Sequence, residues 1–90
     1  MRLKAELDGR MMTDRNAAHE HMAQRLGFPA YYGKNLDALY DLLMEYSKPI
    51  EIVFYHAECM KEQLGVYGSA LLHTMQEAEN DNINLTVTVL

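Results

Sequence analysis

The sequence predicts an α/β fold, a two-layer structure in which a three-stranded parallel sheet in the order 1-2-3 carries helices packed mainly on one face. Three observations point there. The two ends of the chain alternate between apolar and polar residues, as strands with one wet face do. Residues Ile50-Glu51-Ile52-Val53-Phe54-Tyr55 form the most β-prone run. Each interval between these strands holds two helical patterns, and strands joined by helical crossovers run parallel. Right-handed crossovers on a single face step in one direction, which puts the middle strand at the centre. That strand is the most apolar of the three, as a central strand should be. An open face is unusual for a parallel sheet.

The elements follow in order. Leu3, Ala5 and Leu7 define one side of the first strand, and Arg2, Lys4 and Glu6 the other. Asp8-Gly9 reads as a turn. Thr13 or Asp14 caps a first helix that runs to about Leu26, with Ala18, Met22 and Leu26 at helical spacing. Gly27 and then Pro29 stop it. Ala30-Tyr31-Tyr32-Gly33-Lys34 is an aromatic loop. Gly33 or Asn35 starts a second helix that ends near Tyr46, closed by Ser47-Lys48-Pro49. After the central strand a short helix spans about Ala57 to Leu64, and Gly65 ends it. Gly68 or Ser69 opens a fourth helix through Ala78, with Leu71, Leu72, Met75 and Ala78 apolar. Asn80-Asp81-Asn82 reads as a turn. Ile83, Leu85, Val87 and Val89 then alternate against Asn84, Thr86 and Thr88 in the last strand.

Ninety residues allow a single domain over the whole chain. With 49% hydrophobic and 23% charged residues, the composition is globular rather than disordered. No apolar run is long enough to span a bilayer, and no apolar stretch follows Met1-Arg2-Leu3-Lys4. The expected location is therefore cytoplasmic, away from membranes. One cysteine, Cys59, excludes an internal disulfide framework and a multi-cysteine zinc site. The net charge of −5 disfavours nucleic acid as a direct partner, because phosphate binding depends on Lys and Arg. It fits a basic protein partner, or serves solubility.

The second helix is the most informative segment. At ~100° per residue, Leu36, Leu39, Leu43 and Tyr46 cluster on one side, and Asp37, Asp41, Met44 and Glu45 on the other, with Tyr40 at the border. Asp37 and Asp41 are neighbours one turn apart, so two like charges share a patch. Asp37 gains from the helix dipole in the first turn, whereas Asp41 has no Lys or Arg three or four residues ahead of it. Such a face could be a solvated polar surface. Its neighbourhood argues for more. Tyr31, Tyr32 and Tyr40 lie beside the acids, and tyrosine is an interface residue, apolar in body and polar at its tip. Acids with aromatics and few bases make a surface suited to a cationic pocket.

The stretch Leu26-Gly27-Phe28-Pro29-Ala30-Tyr31-Tyr32-Gly33-Lys34-Asn35-Leu36-Asp37-Ala38-Leu39-Tyr40-Asp41-Leu42-Leu43 resembles the signature of the barstar family, intracellular inhibitors of secreted bacterial ribonucleases of the barnase type. Its core, Tyr-Tyr-Gly-x-Asn-Leu-Asp-Ala-Leu-x-Asp, is specific. The likeness extends over the whole chain: Pro49-Ile50 falls where the family's second strand starts, and Gln76-Glu77-Ala78 resembles its fourth-helix segment. The resemblance implies a three-stranded parallel sheet covered by helices. It also implies inhibition without catalysis, in a one-to-one complex with a basic ribonuclease whose active site the loop and second helix plug. The positions that match are Tyr31, Gly33, Asn35, Asp37, Asp41 and, from the fourth helix, Glu77. On the resemblance, Asp41 takes the place of a substrate phosphate, Tyr31 lies against the catalytic His of the target, and Asp37 and Glu77 pair with basic side chains around the rim. The chain departs from the family at the contact edge. Tyr40 stands where the best-known member has Trp, Met44 and Tyr46 replace a Thr and a Trp, and Lys34 is positive where the family often has an acid. The alternative expectation is a barstar-like module for a different basic protein partner, with Lys34 and Met44 as its grounds.

Other signals carry less. His19-Glu20-His21 places two imidazoles two residues apart, which point away from each other on a helix, and no second cluster completes a metal site. These read as solvated histidines. Cys59 with His56 lacks a third, orienting group, and reads as a buried structural cysteine. Glu77 and Glu79 alone read as a wet helix face; only the resemblance singles out Glu77. No phosphate loop or nucleophile motif is present, so no enzyme activity, metal or cofactor is expected.

Overall fold

Leu3–Asp8 forms strand β1, Ile50–Tyr55 β2 and Leu85–Val89 β3 in the computed structural model, which describes residues 3–90. Met1 and Arg2, the latter expected on the wet side of the first strand, lie outside the described residues. The strands pair in parallel in the order β1-β2-β3. Their register aligns Leu3, Ile50 and Leu85, then Ala5, Ile52 and Val87, then Leu7, Phe54 and Val89. Alternation then decides the layers. Ala5, Leu7, Ile50, Ile52, Phe54 and Leu85 are buried in one core with residues from all four helices. The other face carries Lys4, Glu6, Glu51, Tyr55, Thr86 and Thr88, with Val53 between them. Two hydrogen bonds cross that face, from the Tyr55 hydroxyl to Glu6 at 3.0 Å and from Thr88 to Glu51 at 3.1 Å.

The helices are α1 (Arg15–Leu26), α2 (Leu36–Met44), α3 (Ala57–Leu64) and α4 (Val66–Asp81). A single 3₁₀ turn, Gly9–Met11, precedes α1. Local chemistry sets their ends. The Asp14 carboxylate accepts from the Ala17 N–H at 2.8 Å and caps α1, and Gly27, at φ 69°, ends it in the left-handed region that glycine enters without cost. Helix side chains close both outer edges of the sheet. The Asp8 N–H donates to Nε2 of His21 and Arg25 donates to the Glu6 carbonyl, each at 2.9 Å, while the Val87 N–H donates to the Glu79 carboxylate at 2.8 Å. Strand edges left bare invite pairing with other chains, and these contacts occupy part of each edge.

Several expectations need correction. The fourth helix begins at Val66 and runs through Asp81, so Asn80 and Asp81 are helical rather than in a turn. The last strand begins at Leu85 instead of Ile83, and Ile83 is 98% exposed. Asn82 is the reason. It is buried, its amide donates to the Leu43 carbonyl at 3.0 Å and to that of Tyr46 at 3.2 Å, and its side-chain oxygen accepts from the Asn84 N–H at 3.0 Å. This clamp turns the chain two residues later and satisfies carbonyls at the end of α2 that the helix itself leaves open. The second helix accordingly stops at Met44 rather than near Tyr46. His19 is not solvated but 1% exposed. Glu79 is half-buried at the β3 edge rather than on a wet face, and Cys59 is half-buried rather than in the core.

Candidate functional site

The site grows from the first turn of α2. The Asn35 side-chain oxygen accepts from the Ala38 N–H at 2.8 Å, satisfying one of the donors that a helix start leaves open. Its amide donates back to the Gly33 carbonyl at 3.3 Å, which fastens the loop to the helix. Gly33 belongs to this arrangement through space. A Cβ there would lie 3.3 Å from both the Ala38 Cβ and the Asn35 amide nitrogen, crowding the cap. Beyond the cap, Leu39 and Leu43 are fully buried, and burying each is worth about 2 kcal/mol. This anchoring leaves Asp37 and Asp41 exposed on the opposite side, and among the described residues neither makes an ion pair.

Helix α4 packs beside α2 and completes an acidic groove of about 400 Å³, lined by Leu36, Asp37, Tyr40, Asp41, Thr74 and Glu77. Glu77 keeps an exposed carboxylate, 2.7 Å from the His73 imidazole one turn back. The Tyr40 hydroxyl donates to the Asp81 carboxylate at 2.5 Å and so bridges the two helices. That bond to Asp81 raises the Tyr40 phenol above its ordinary value; loss of hydration and the charges of Asp81, Glu77 and Asp41 push the same way. Four carboxylates therefore act on one surface. Asp81 was not singled out by sequence reasoning, because Asn80-Asp81-Asn82 has turn composition. The available signal was the helical spacing from Glu77 to Asp81.

The two tyrosines of the loop part company. Tyr31 is 80% exposed. Tyr32 is buried, and its hydroxyl meets Nδ1 of His19 at 2.6 Å. Nε2 of His19 meets the Tyr67 hydroxyl from α4, also at 2.6 Å. In a neutral imidazole one nitrogen donates and the other accepts, so one tyrosine gives its proton to the ring and the other takes one. This hub ties α1, the loop and α4 together. Burial holds the His19 imidazole below its ordinary value, with the Lys34 charge acting in the same direction. Burial also pushes the Tyr32 phenol well above its ordinary range.

The structure thus brings Asp37, Tyr40, Asp41 and Glu77 to one groove, while Asn35 and Gly33 shape the start of α2. Met44 is half-buried against the core at the far end of α2, so little of it faces outward. On the near side a second concavity, about 500 Å³, is lined by Arg15, Asn16, Lys34, Asn35, Leu36, Asp37 and Tyr67. Among the described residues no group of three or more His, Cys, Asp or Glu side chains is placed to hold a metal ion, and no helix is long and apolar enough to cross a membrane.

A family model described as Barstar (barnase inhibitor) matches residues 3–89. The chain is also 35% identical over 79 residues to a Bacillus subtilis (strain 168) protein named "Putative ribonuclease inhibitor YrdF", an alignment that covers 87% of each chain.

Proposed function

The chain belongs to the barstar family, and from that premise we propose that it inhibits a basic ribonuclease of the barnase type without catalysis, one to one, in the cytoplasm. The observation that carries the reading is the groove itself, in which Asp37, Asp41 and Glu77 present exposed carboxylates from two helices. A ribonuclease active site offers Arg, Lys and His to a phosphate, and a carboxylate on a rigid helix can take that place through charge-assisted hydrogen bonds. Asp41 is the phosphate mimic. Tyr31 lies against the catalytic histidine of the target, Asp37, Glu77 and Asp81 pair with bases around it, and Tyr40 and the outer edge of Met44 fill the rim. The acidic balance speeds encounter with a basic partner, and salt slows it. A second reading keeps this surface and changes the target to another basic protein. The departures at the contact edge, Tyr40 and Met44, favour it.

Titration of a barnase-type ribonuclease tests the proposal. Stoichiometric loss of activity that weakens with salt is expected. Asp41→Ala is expected to cost at least about a hundredfold in inhibition, the scale of removing one partner from a desolvated ion pair. Its thermal midpoint should not move, since an exposed unpaired acid contributes little to stability. Full inhibition by Asp41→Ala would exclude the plug, and no inhibition by the wild type would shift the assignment to the second reading.

A further inference from the structure

Two cations occupy places that local structure does not favour. Arg15 is the first residue of α1, where a positive charge opposes the helix dipole, with the capping carboxylate of Asp14 as the acid at that end. Lys34 directly precedes Asn35, the cap of α2, so its charge also stands at a helix N-terminal end. Its backbone is left-handed, at φ 53°, a region that Asn or Gly enters far more readily than Lys. Placements that cost local stability are found where a function holds them. Neither charge is closely neutralised. The Arg15 guanidinium lies over the Tyr67 ring, 4.3 Å from its centroid, and Lys34 reaches only 3.5 Å from an exposed Glu20. Both cations line the same concavity, and Leu36 and Asp37 line both that concavity and the acidic groove. A protein seated in the groove therefore lies against the cations.

We infer that the Arg15–Lys34 concavity is the oppositely charged half of the same interface, and that the target ribonuclease carries an acidic side chain, Asp or Glu, beside its basic cleft to fill it. The inference rests on the proposed ribonuclease inhibition and names the partner's rim. A guanidinium placed over an aromatic ring and an ammonium lining the same concavity can both bond one incoming carboxylate. A nuclease whose cleft is edged by further Lys or Arg meets like charge at this place. The cations thus select among basic nucleases, which the acids alone cannot do.

The test uses the ribonuclease that the wild-type protein inhibits most tightly among several of the barnase type. Inhibition constants are compared for Lys34→Glu, Lys34→Met and Asp41→Ala at about 50 and about 200 mM salt. Lys34→Glu is expected to weaken inhibition about tenfold or more at low salt and by less at high salt, with Lys34→Met in between. Neither Lys34 variant should lower the thermal midpoint, because the Glu20 contact is loose and a neutral or acidic residue at the start of α2 suits the helix dipole better than a cation. Unchanged or tighter inhibition by Lys34→Glu, with Asp41→Ala still impaired, would overturn the acidic rim and leave the inhibitor reading intact. Absence of inhibition by the wild type, or an Asp41→Ala variant as potent as wild type, would overturn the inhibitor reading and this inference with it.

Discussion

Two polar clusters flank α2, and they treat their polar atoms in opposite ways. The hub of His19, Tyr32 and Tyr67 is closed. Both ring nitrogens have hydroxyl partners at 2.6 Å, and no buried side-chain polar atom among the described residues lacks a partner. The acidic groove is open, with Asp37 and Asp41 exposed and unpaired and Glu77 tied only to an exposed His73. A polar group satisfied inside a protein is architecture, because leaving it unpaired there costs free energy. Like charges gathered on a surface without an ion-pair partner repel one another mildly and are available to a partner. The adjacent Tyr31 and Tyr32 mark the boundary, one turned outward and the other inward.

This contrast predicts that hub and groove separate stability from inhibition. His19→Ala is expected to give the largest loss of stability, about 3 kcal/mol, from a cavity and two orphaned hydroxyls, one of them buried. Urea unfolding measures it. Inhibition by the folded fraction should remain, in contrast with Asp41→Ala, which keeps the fold and loses inhibition. A His19→Ala variant as stable as wild type would break the division.

Local signals made the fold legible, and distance limited the rest. The caps Asp14 and Asn35, the stops Gly27 and Gly65, and the alternation of the outer strands act within a few residues. All could be seen in sequence. So could Tyr31, Asp37 and Asp41, which share one motif. Glu77 stood out only through resemblance, since a lone acid on a helix looks like any wet face. His19 and His21 do point apart, as their spacing requires, but into a buried hub and onto the β1 edge rather than into water. The sequence holds no local sign of this, because Tyr32 and Tyr67 lie 13 and 48 positions away. Asn82 and Asp81 were hidden for a related reason. Turn-like composition was read without the carbonyls of α2 that Asn82 binds.

A smaller effect should appear with pH, and its sign follows from the hub. Burial lowers the folded-state value of His19 below the ordinary 6.5. The unfolded chain therefore takes up a proton first as pH falls. The stability due to neutral His19 is fully present above about 6.5 and is lost as pH drops toward the folded value. His21, also lowered by burial, adds in the same direction. Urea midpoints at pH 7.5 and 5 should therefore differ, with the acid sample less stable, and His19→Gln should narrow the difference because glutamine does not titrate. An equal pH response in His19→Gln would place the acid sensitivity elsewhere, with the half-buried His21 at the β1 edge as the next imidazole.

The smallest effect belongs to the open cluster and tests whether its acids act together. The Tyr40 phenol is raised first by its bond to Asp81, and the charges of Glu77 and Asp41 add to it. Asp81→Asn retains an acceptor but removes the charge, so the Tyr40 titration should move back toward the ordinary 10 without returning to it. Asp41→Asn should move it less, because that charge acts only through space. Tyrosine-selective carbon NMR resolves one phenol from the other five, and thermal midpoints should stay together across the series. A Tyr40 titration that ignores Asp41 would mean that the two acids are too well screened to share a field. The groove would then have to bind its partner through independent contacts rather than as one concentrated negative surface.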